Sequence, residues 1–225
     1  GTDAKVLDIE MIPRASHDQI WMKVSRTIDG GTKYYVETLG RFPSEGALVR
    51  NDYIFSDSAV TKDVGSDKVV SGLKHLKGQT VQVYYDGMQH VNKTVTTTGG
   101  SDETITLNHT EGSRAVAGLP YSAEMDTLEP PAPEHQFSHS KRLSKIAVII
   151  EESLGIQLDY NDLSEELLFR TMADAMGRQI PLFTGTRKLS LSGIGWDVHT
   201  VKIKSNGPLP MQLNAIIIES ETGGS

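Results

Sequence analysis

Apolar positions in this chain come in short β-rich runs broken by turn residues, with no long stripe of 3.6-residue period, and the expected fold is all-β. Ala4 to Ile12 and Gln19 to Ile28 are two such runs, separated by Pro13-Arg-Ala-Ser-His-Asp18. Within the second, Ile20, Met22 and Val24 fall on one side and Trp21, Lys23 and Ser25 on the other, the alternation of a half-buried strand. Asp29-Gly30-Gly31 then has hairpin chemistry, because glycine accepts positive φ at no steric cost. Lys33 to Leu39 completes a three-stranded meander, and Tyr53 to Phe55 predicts a short fourth strand.

The polar stretch from Ser56 to Lys68 reads as a connection. After it, Thr80 to Tyr85, Thr104 to Leu107, Arg114 to Ala117 and Tyr121 to Met125 read as strands, turned by Asp86-Gly87, Gly99-Gly100, Glu111-Gly112 and Gly118-Leu-Pro120. Turns every ~8 to 12 residues predict a small β-barrel-like domain over 71–129. Glu129-Pro-Pro-Ala-Pro133 marks a linker over 130–137, since proline holds the backbone extended and removes amide donors. Beyond it, Ile146 to Ile150 is apolar on both faces, as in a covered strand. Arg187 to Leu191, His199 to Lys204 and Leu213 to Glu219 read as closing strands. Asp162-Leu-Ser-Glu165 has capping-box spacing, so 162–176, with Leu167, Leu168, Met172 and Met176, predicts at most one short helix. The resulting division is a meander and connection over 1–70, the barrel-like domain over 71–129, the linker, and a C-terminal β domain over 138–225 that packs with 1–55. The small domain is thus inserted in, or follows, a β-sandwich or propeller-derived domain.

Composition narrows the chemistry. The 225 residues carry 22 basic against 29 acidic side chains, a net charge of −7, which argues against tight binding to a nucleic-acid duplex. There is no cysteine, so thiolate zinc sites, iron–sulfur clusters, cysteine nucleophiles and disulfide frameworks are excluded. The aliphatic runs Ile146 to Ile150 and Ala215 to Ile218 are far below the ~18 residues of a membrane span. The opening Gly1-Thr2 and the closing Glu221-Thr-Gly-Gly-Ser225 read as the boundaries of a piece cut from a longer parent.

No motif predicts catalysis. His135 and His139 are four apart behind Glu134, but prolines precede them and the glutamate lies outside the pair, unlike a metalloprotease helix. Gly193-Ile-Gly195 begins a dinucleotide fingerprint, yet position 198 is Val and the continuation is β, leaving no helix N-terminus for a pyrophosphate. No Gly-x-Ser-x-Gly elbow occurs. Neighbours in Glu151-Glu152 point to opposite faces of a strand, and these residues, like Glu165-Glu166, read as solvated charges rather than a glycosidase pair. Asn92-Lys-Thr94 and Asn108-His-Thr110 match the glycosylation pattern by chance. Trp21, Tyr34, Tyr35, Tyr84, Tyr85 and Trp196 are scattered, which favours packing between strands over a stacking platform. The expectation is therefore not an enzyme, with no catalytic, cofactor-binding or metal-binding residue and no cofactor.

Several segments resemble a known family. Trp21-Met-Lys-Val-Ser-Arg-Thr-Ile-Asp-Gly30 with Tyr34-Tyr-Val-Glu37 resembles the last propeller segment of bacteriophage tail nozzle proteins, also called tail tubular protein B or the phage stabilisation protein family. Ser71-Gly-Leu-Lys-His-Leu-Lys-Gly-Gln-Thr-Val-Gln-Val-Tyr-Tyr-Asp-Gly87, with Val116-Ala-Gly-Leu-Pro-Tyr121, is similar to the small β-domain that follows there. In fold alone, that domain resembles the first catalytic-cysteine half-domain insert of ubiquitin-activating enzymes. Lys141-Arg-Leu-Ser-Lys-Ile-Ala-Val148, Pro181-Leu-Phe-Thr-Gly185, Gly195-Trp196 and Pro208-Leu-Pro-Met-Gln-Leu-Asn-Ala-Ile216 resemble the C-terminal portion.

The matches run in order, and the family's platform and most of its blades are missing upstream. The resemblance implies a structural virion component of a short tail, assembled in the host cytoplasm. Its parent forms a homo-oligomeric ring with other phage tail proteins, closes the tail channel, and passes DNA during ejection. The competing expectation is a carbohydrate-binding or adhesin-like β module of a surface protein.

Overall fold

In the computed structural model the described residues are 4–14, 18–40, 50–66, 68–98, 102–108, 113–129, 141–160, 163–167, 169–170, 172, 174, 179–191, 200–205 and 207–222. They are all-β, with only two single-turn 3-10 helices, Arg50–Asp52 and Lys74–Leu76, and no longer helix among them. The chain divides into two compact units, residues 1–121 with 177–179, and 122–176 with 180–225.

The first unit opens with an antiparallel sheet of β1 (Lys5–Ile12), β2 (Gln19–Ile28) and β3 (Gly31–Thr38), in that order. Asp29 (φ 53°) and Gly30 (φ 73°) form the two-residue turn between β2 and β3, with positive φ at both positions as a hairpin twist requires. A bulge interrupts the β1–β2 register between Val6 and Asp8, so Val6 pairs with Val24 while Ile9 pairs with Met22 and Met11 with Ile20. The extra residue, Leu7, resets the period-two phase. Val6 thereby joins Ile9 and Met11 on one face, although their numbering places them on opposite sides.

Four further strands form the order β4 (Asp57–Asp63), β10 (Arg114–Leu119), β6 (Thr80–Tyr85), β7 (Met88–Thr94). A smaller sheet, β5 (Val69–Val70), β9 (Asp102–Thr106), β8 (Thr96–Thr98), shares its core, centred on Leu73, Leu76, Val81, Val83, Ile105 and Ala117. Tyr84 is buried on the other face of β6, edge-on to Phe55, with its hydroxyl donating to the Arg50 carbonyl at 3.2 Å.

Two expectations are corrected in this unit. The stretch expected to connect contains β4, paired antiparallel with β10. It is a polar edge strand, held by backbone pairing more than by burial. Tyr53 to Phe55 is irregular and follows the 3-10 turn instead of forming a strand, its rings packing edge-on at 5.9 Å. In the small domain, expected to be barrel-like, the pairing among the described residues forms two sheets and closes no barrel.

In the second unit, β11 (Ala123–Asp126), β16 (Lys202–Ser205), β13 (Ile156–Tyr160) and β14 (Leu163–Leu167) form one sheet. The other is β15 (Phe183–Ser190), β12 (Lys141–Ser153), β17 (Leu213–Thr222). Leu143, Ile146, Val148, Ile150, Leu158 and Ile203 bury together between them. A bulge between Leu143 and Lys145 puts Leu143 in phase with Ile146. β11, expected at the end of the small domain, pairs with β16 here. Of the stretch 162–176, expected to hold at most one short helix, residues 163–167 form β14, antiparallel to β13 with Tyr160 opposite Leu163 and Ile156 opposite Leu167, while Asp162, Leu168 and Met176 lie outside the described residues. Sheet pairing overrides the capping-box spacing, since Leu167 gains burial beside Ile156. Linker residues 130–137 lie outside the described residues.

Candidate functional site

A cleft of about 860 Å³ in the first unit runs between two backbone walls, Tyr35 to Gly40 at the end of β3 and Ile54 to Ala59 leading into β4, with His75 and Tyr121 beside them. Both walls end in edge strands, because β3 terminates the three-stranded sheet and β4 the four-stranded one. The Leu39 amide donates to the Ile20 carbonyl at 3.0 Å, and Ile28 stands opposite Gly31 across the hairpin turn. The odd residues of β3 therefore bond β2, and Tyr34, Val36 and Thr38 turn their N–H and C=O outward, unpaired among the described residues.

An arginine is buried beside this cleft. Arg26 follows Ile20, Met22 and Val24 in phase on β2, and only 2 % of its side chain is exposed. Its Nε and Nη2 donate to Glu37 Oε1 and Oε2 at 2.8 and 2.7 Å. Nη1 and Nη2 donate to Asp57 Oδ2 and Oδ1, both at 2.7 Å. Two bidentate forks thus satisfy one guanidinium, the geometry in which arginine outperforms lysine. The bonds to Glu37 hold the guanidinium well above its ordinary range; burial opposes this and Asp57 adds to it. Ser58, in a left-handed conformation (φ 51°), donates its hydroxyl to Glu37 Oε1 at 3.1 Å. His75 Nε2 lies 3.0 Å from the Ser58 carbonyl, which can only accept, so Nε2 carries the proton. Tyr35 stands edge-on to His75, and burial pushes its hydroxyl up. Tyr121 is raised by burial first and by Asp57 second.

The arrangement carries one net negative charge. Each carboxylate places both oxygens on Arg26. The site is a clamp between strands, bordered by unpaired backbone.

A smaller cleft in the second unit, about 360 Å³, is lined by Asp126, Asp159, Ser164, Lys202 and Lys204 among others. Lys204 Nζ contacts Asp159, Ser164 Oγ donates to Asp159 Oδ1 at 2.7 Å, and Gln157 Nε2 donates to the same oxygen at 2.8 Å. Lys204, then Gln157 and Ser164, hold the Asp159 carboxyl well below the ordinary carboxylate range. Opposite charges here are matched within the cleft.

Several residues weighed in the sequence lie outside the described ones: Glu134, His135, His139, Gly193, Gly195 and Trp196. Glu151 accepts from Gln212 Nε2 and Asn214 Nδ2, each at 3.2 Å, and Glu165 accepts from the Tyr160 hydroxyl at 3.0 Å. Glu152 and Glu166 are exposed. Asn92 is exposed on β7, and Asn108 accepts from Lys93 Nζ at 2.6 Å. Tyr84 and Tyr85 are buried while Tyr34 is exposed, so the described aromatics of that set form no common platform. The sequence reading missed Arg26, Glu37 and Asp57. Its available signal was an arginine in phase with an apolar stripe, beside a strand whose glutamate alternates with Tyr35.

Among the described residues, no group of three histidine, aspartate or glutamate side chains is placed to hold a metal ion, and no helix is long and apolar enough to cross a membrane. No protein-family model matches the chain, and no curated protein sequence matches it.

Proposed function

We propose that this chain is part of a structural ring subunit of a short phage tail, a nozzle or hub component that closes the tail channel and passes DNA during ejection. The observation that carries this reading is the first sheet, which leaves its outer strands open and apolar. Val6, Ile9 and Met11 are each more than half exposed on one face of β1, and Tyr34 and Val36 are exposed on β3. An apolar edge strand of this kind invites pairing with another chain unless it is covered, and ring subunits cover such edges with their neighbours.

Two further features support it. The segments resembling tail nozzle proteins run in order along the chain. The net charge of −7 suits a channel that must let DNA go, because few cations are available to hold phosphates by releasing counterions. The clamp formed by Arg26, Glu37 and Asp57 suits a subunit under mechanical stress, since it ties β2, β3 and β4 together.

Electron microscopy of the full protein containing this chain, prepared with its neighbouring tail proteins, tests the reading. Closed rings are the expected result, and single subunits alone contradict it.

A further inference from the structure

We infer that β1 of one copy of this chain adds to the outer edge of β3 of the next, filling the cleft between β3 and β4; this rests on the ring-subunit reading. The acceptor edge is defined by the outward N–H and C=O of Tyr34, Val36 and Thr38, which lack partners among the described residues. The opposite wall, Ile54 to Ala59, leads into β4, which is also an edge strand: the Val64 amide donates to Ser113 at 2.7 Å, which fixes the hydrogen-bonding phase with β10 and turns the backbone of Thr61 and Asp63, beyond that wall, outward. A cleft flanked by two such edges is the setting for strand addition, in which main-chain bonds supply affinity and alternate side chains supply fit.

The donor is on the same chain. Among the described residues β1 bonds only β2, leaving its other edge open, and all eight of its residues are exposed. Eight extended residues span about 26 Å, enough to cover the wall from Tyr35 to Gly40, which is about 20 Å long.

The faces also agree. Register places Val6, Ile9 and Met11 on the sheet face of Met22 and Val24, the face that also carries Tyr35 and Glu37 on β3. If one continuous sheet passes from copy to copy, that apolar trio points the same way as Tyr35, over the cleft walls that include Ile54, Phe55 and Tyr121. On the opposite face, Asp8 and Glu10 would lie beside Thr32, Tyr34, Val36 and Thr38, which are uncharged and offer no like-charge repulsion. The Leu7 bulge is what makes this possible, because without it Val6 would turn to the charged face. Donor and acceptor are different surfaces, so the contact is head-to-tail, the class of contact from which rings are built when the rotation between copies closes.

The absence of cysteine allows a direct test. Single variants Asp8→Cys, Glu10→Cys and Val36→Cys each carry one thiol at an exposed position. A mass-tagged Val36→Cys chain is mixed at high concentration with each β1 variant under mild oxidation, with Val91→Cys on the edge strand β7 as the control partner. Mixed disulfides between one β1 position and Val36→Cys should form on the order of ten-fold faster than with Val91→Cys, because docking brings the sulfurs within bonding distance. Sedimentation of the cysteine-free chain and of Val36→Lys is the second readout; the charge on the edge should abolish concentration-dependent association. Equal rates with both partners, or association unchanged by Val36→Lys, overturns the inference. Rings of the full protein seen alongside that result would leave the ring-subunit reading standing and reject only this interface.

Discussion

Arg26 and Asp57 meet through two hydrogen bonds of 2.7 Å, joining the middle strand of the first sheet to the first residue of β4, thirty-one positions later. Glu37 completes the clamp from the strand between them in sequence. Removing one partner of a buried charge group leaves the other uncompensated, which costs more than the intact group contributes. Glu37→Gln is expected to destabilise the first unit by roughly 3 kcal/mol. Asp57→Asn should cost less, because a third of that side chain is exposed and solvent screens the loss. The combined change Arg26→Met, Glu37→Gln and Asp57→Asn should recover part of the deficit. Urea unfolding of the three variants checks this, and a triple variant less stable than both single ones opposes it.

Gly118 lies in β10 at the bulge against β4, where an added Cβ would come within 2.8 Å of the Asp57 carbonyl oxygen and of Ser56 Cβ, and within 2.9 Å of Ala59 Cα. Two of these neighbours are backbone atoms of an adjacent strand and cannot yield cheaply. Gly118→Ala is expected to lose about 1 to 3 kcal/mol by overpacking. A denaturation midpoint equal to that of the unaltered chain would show that the β4–β10 pair yields where the structure has it tight.

Acid should act on the second unit through Asp159. Its folded-state pKa is depressed by Lys204, then by Gln157 and Ser164, so its contribution is fully present above the ordinary aspartate value. That contribution is lost as pH falls below about 4, through the lower folded value. Asp159→Asn should lower thermal stability at neutral pH and flatten the decline between about pH 4 and pH 2. Parallel melting curves for the two proteins across that window would rule this origin out.

DNA affinity provides a separate check on the charge argument. Duplex binding measured at 50 and 200 mM salt is expected to be weaker than about micromolar at both, with a shallow salt slope. Tight binding that falls steeply with salt would reveal a basic groove and remove one support of the conduit reading.

Much of the strand pattern was legible where alternation is strict. Gln19 to Ile28 and Thr80 to Tyr85 are strands with those limits, and Asp29-Gly30 and Asp86-Gly87 turn as positive-φ pairs. What escaped has physical causes. β4 is Asp-Ser-Ala-Val-Thr-Lys-Asp, polar because an edge strand has one side in water, so its pairing with β10 leaves little hydrophobic trace. The bulge at Leu7 breaks the phase on which alternation depends, hiding the fact that Val6, Ile9 and Met11 share a face. Leu163 to Leu167 carries a helix-start spacing, yet its partner β13 lies beside it in space and only tertiary pairing selects the strand. The clamp was invisible for a related reason: Arg26 and Asp57 are far apart in sequence, and nothing local predicts that one guanidinium reaches both carboxylates.

The ring-subunit proposal places this chain in a short phage tail, and electron microscopy of purified particles of a phage whose proteins include it, labelled with an antibody raised against residues 4–14, tests that directly. The proposal predicts label at the distal end of the short tail, strongest in particles whose ring is partly dissociated, since the inferred contact with β3 would cover β1 in an intact ring. Particles free of the chain by peptide mass spectrometry, or label confined to the capsid, would contradict it.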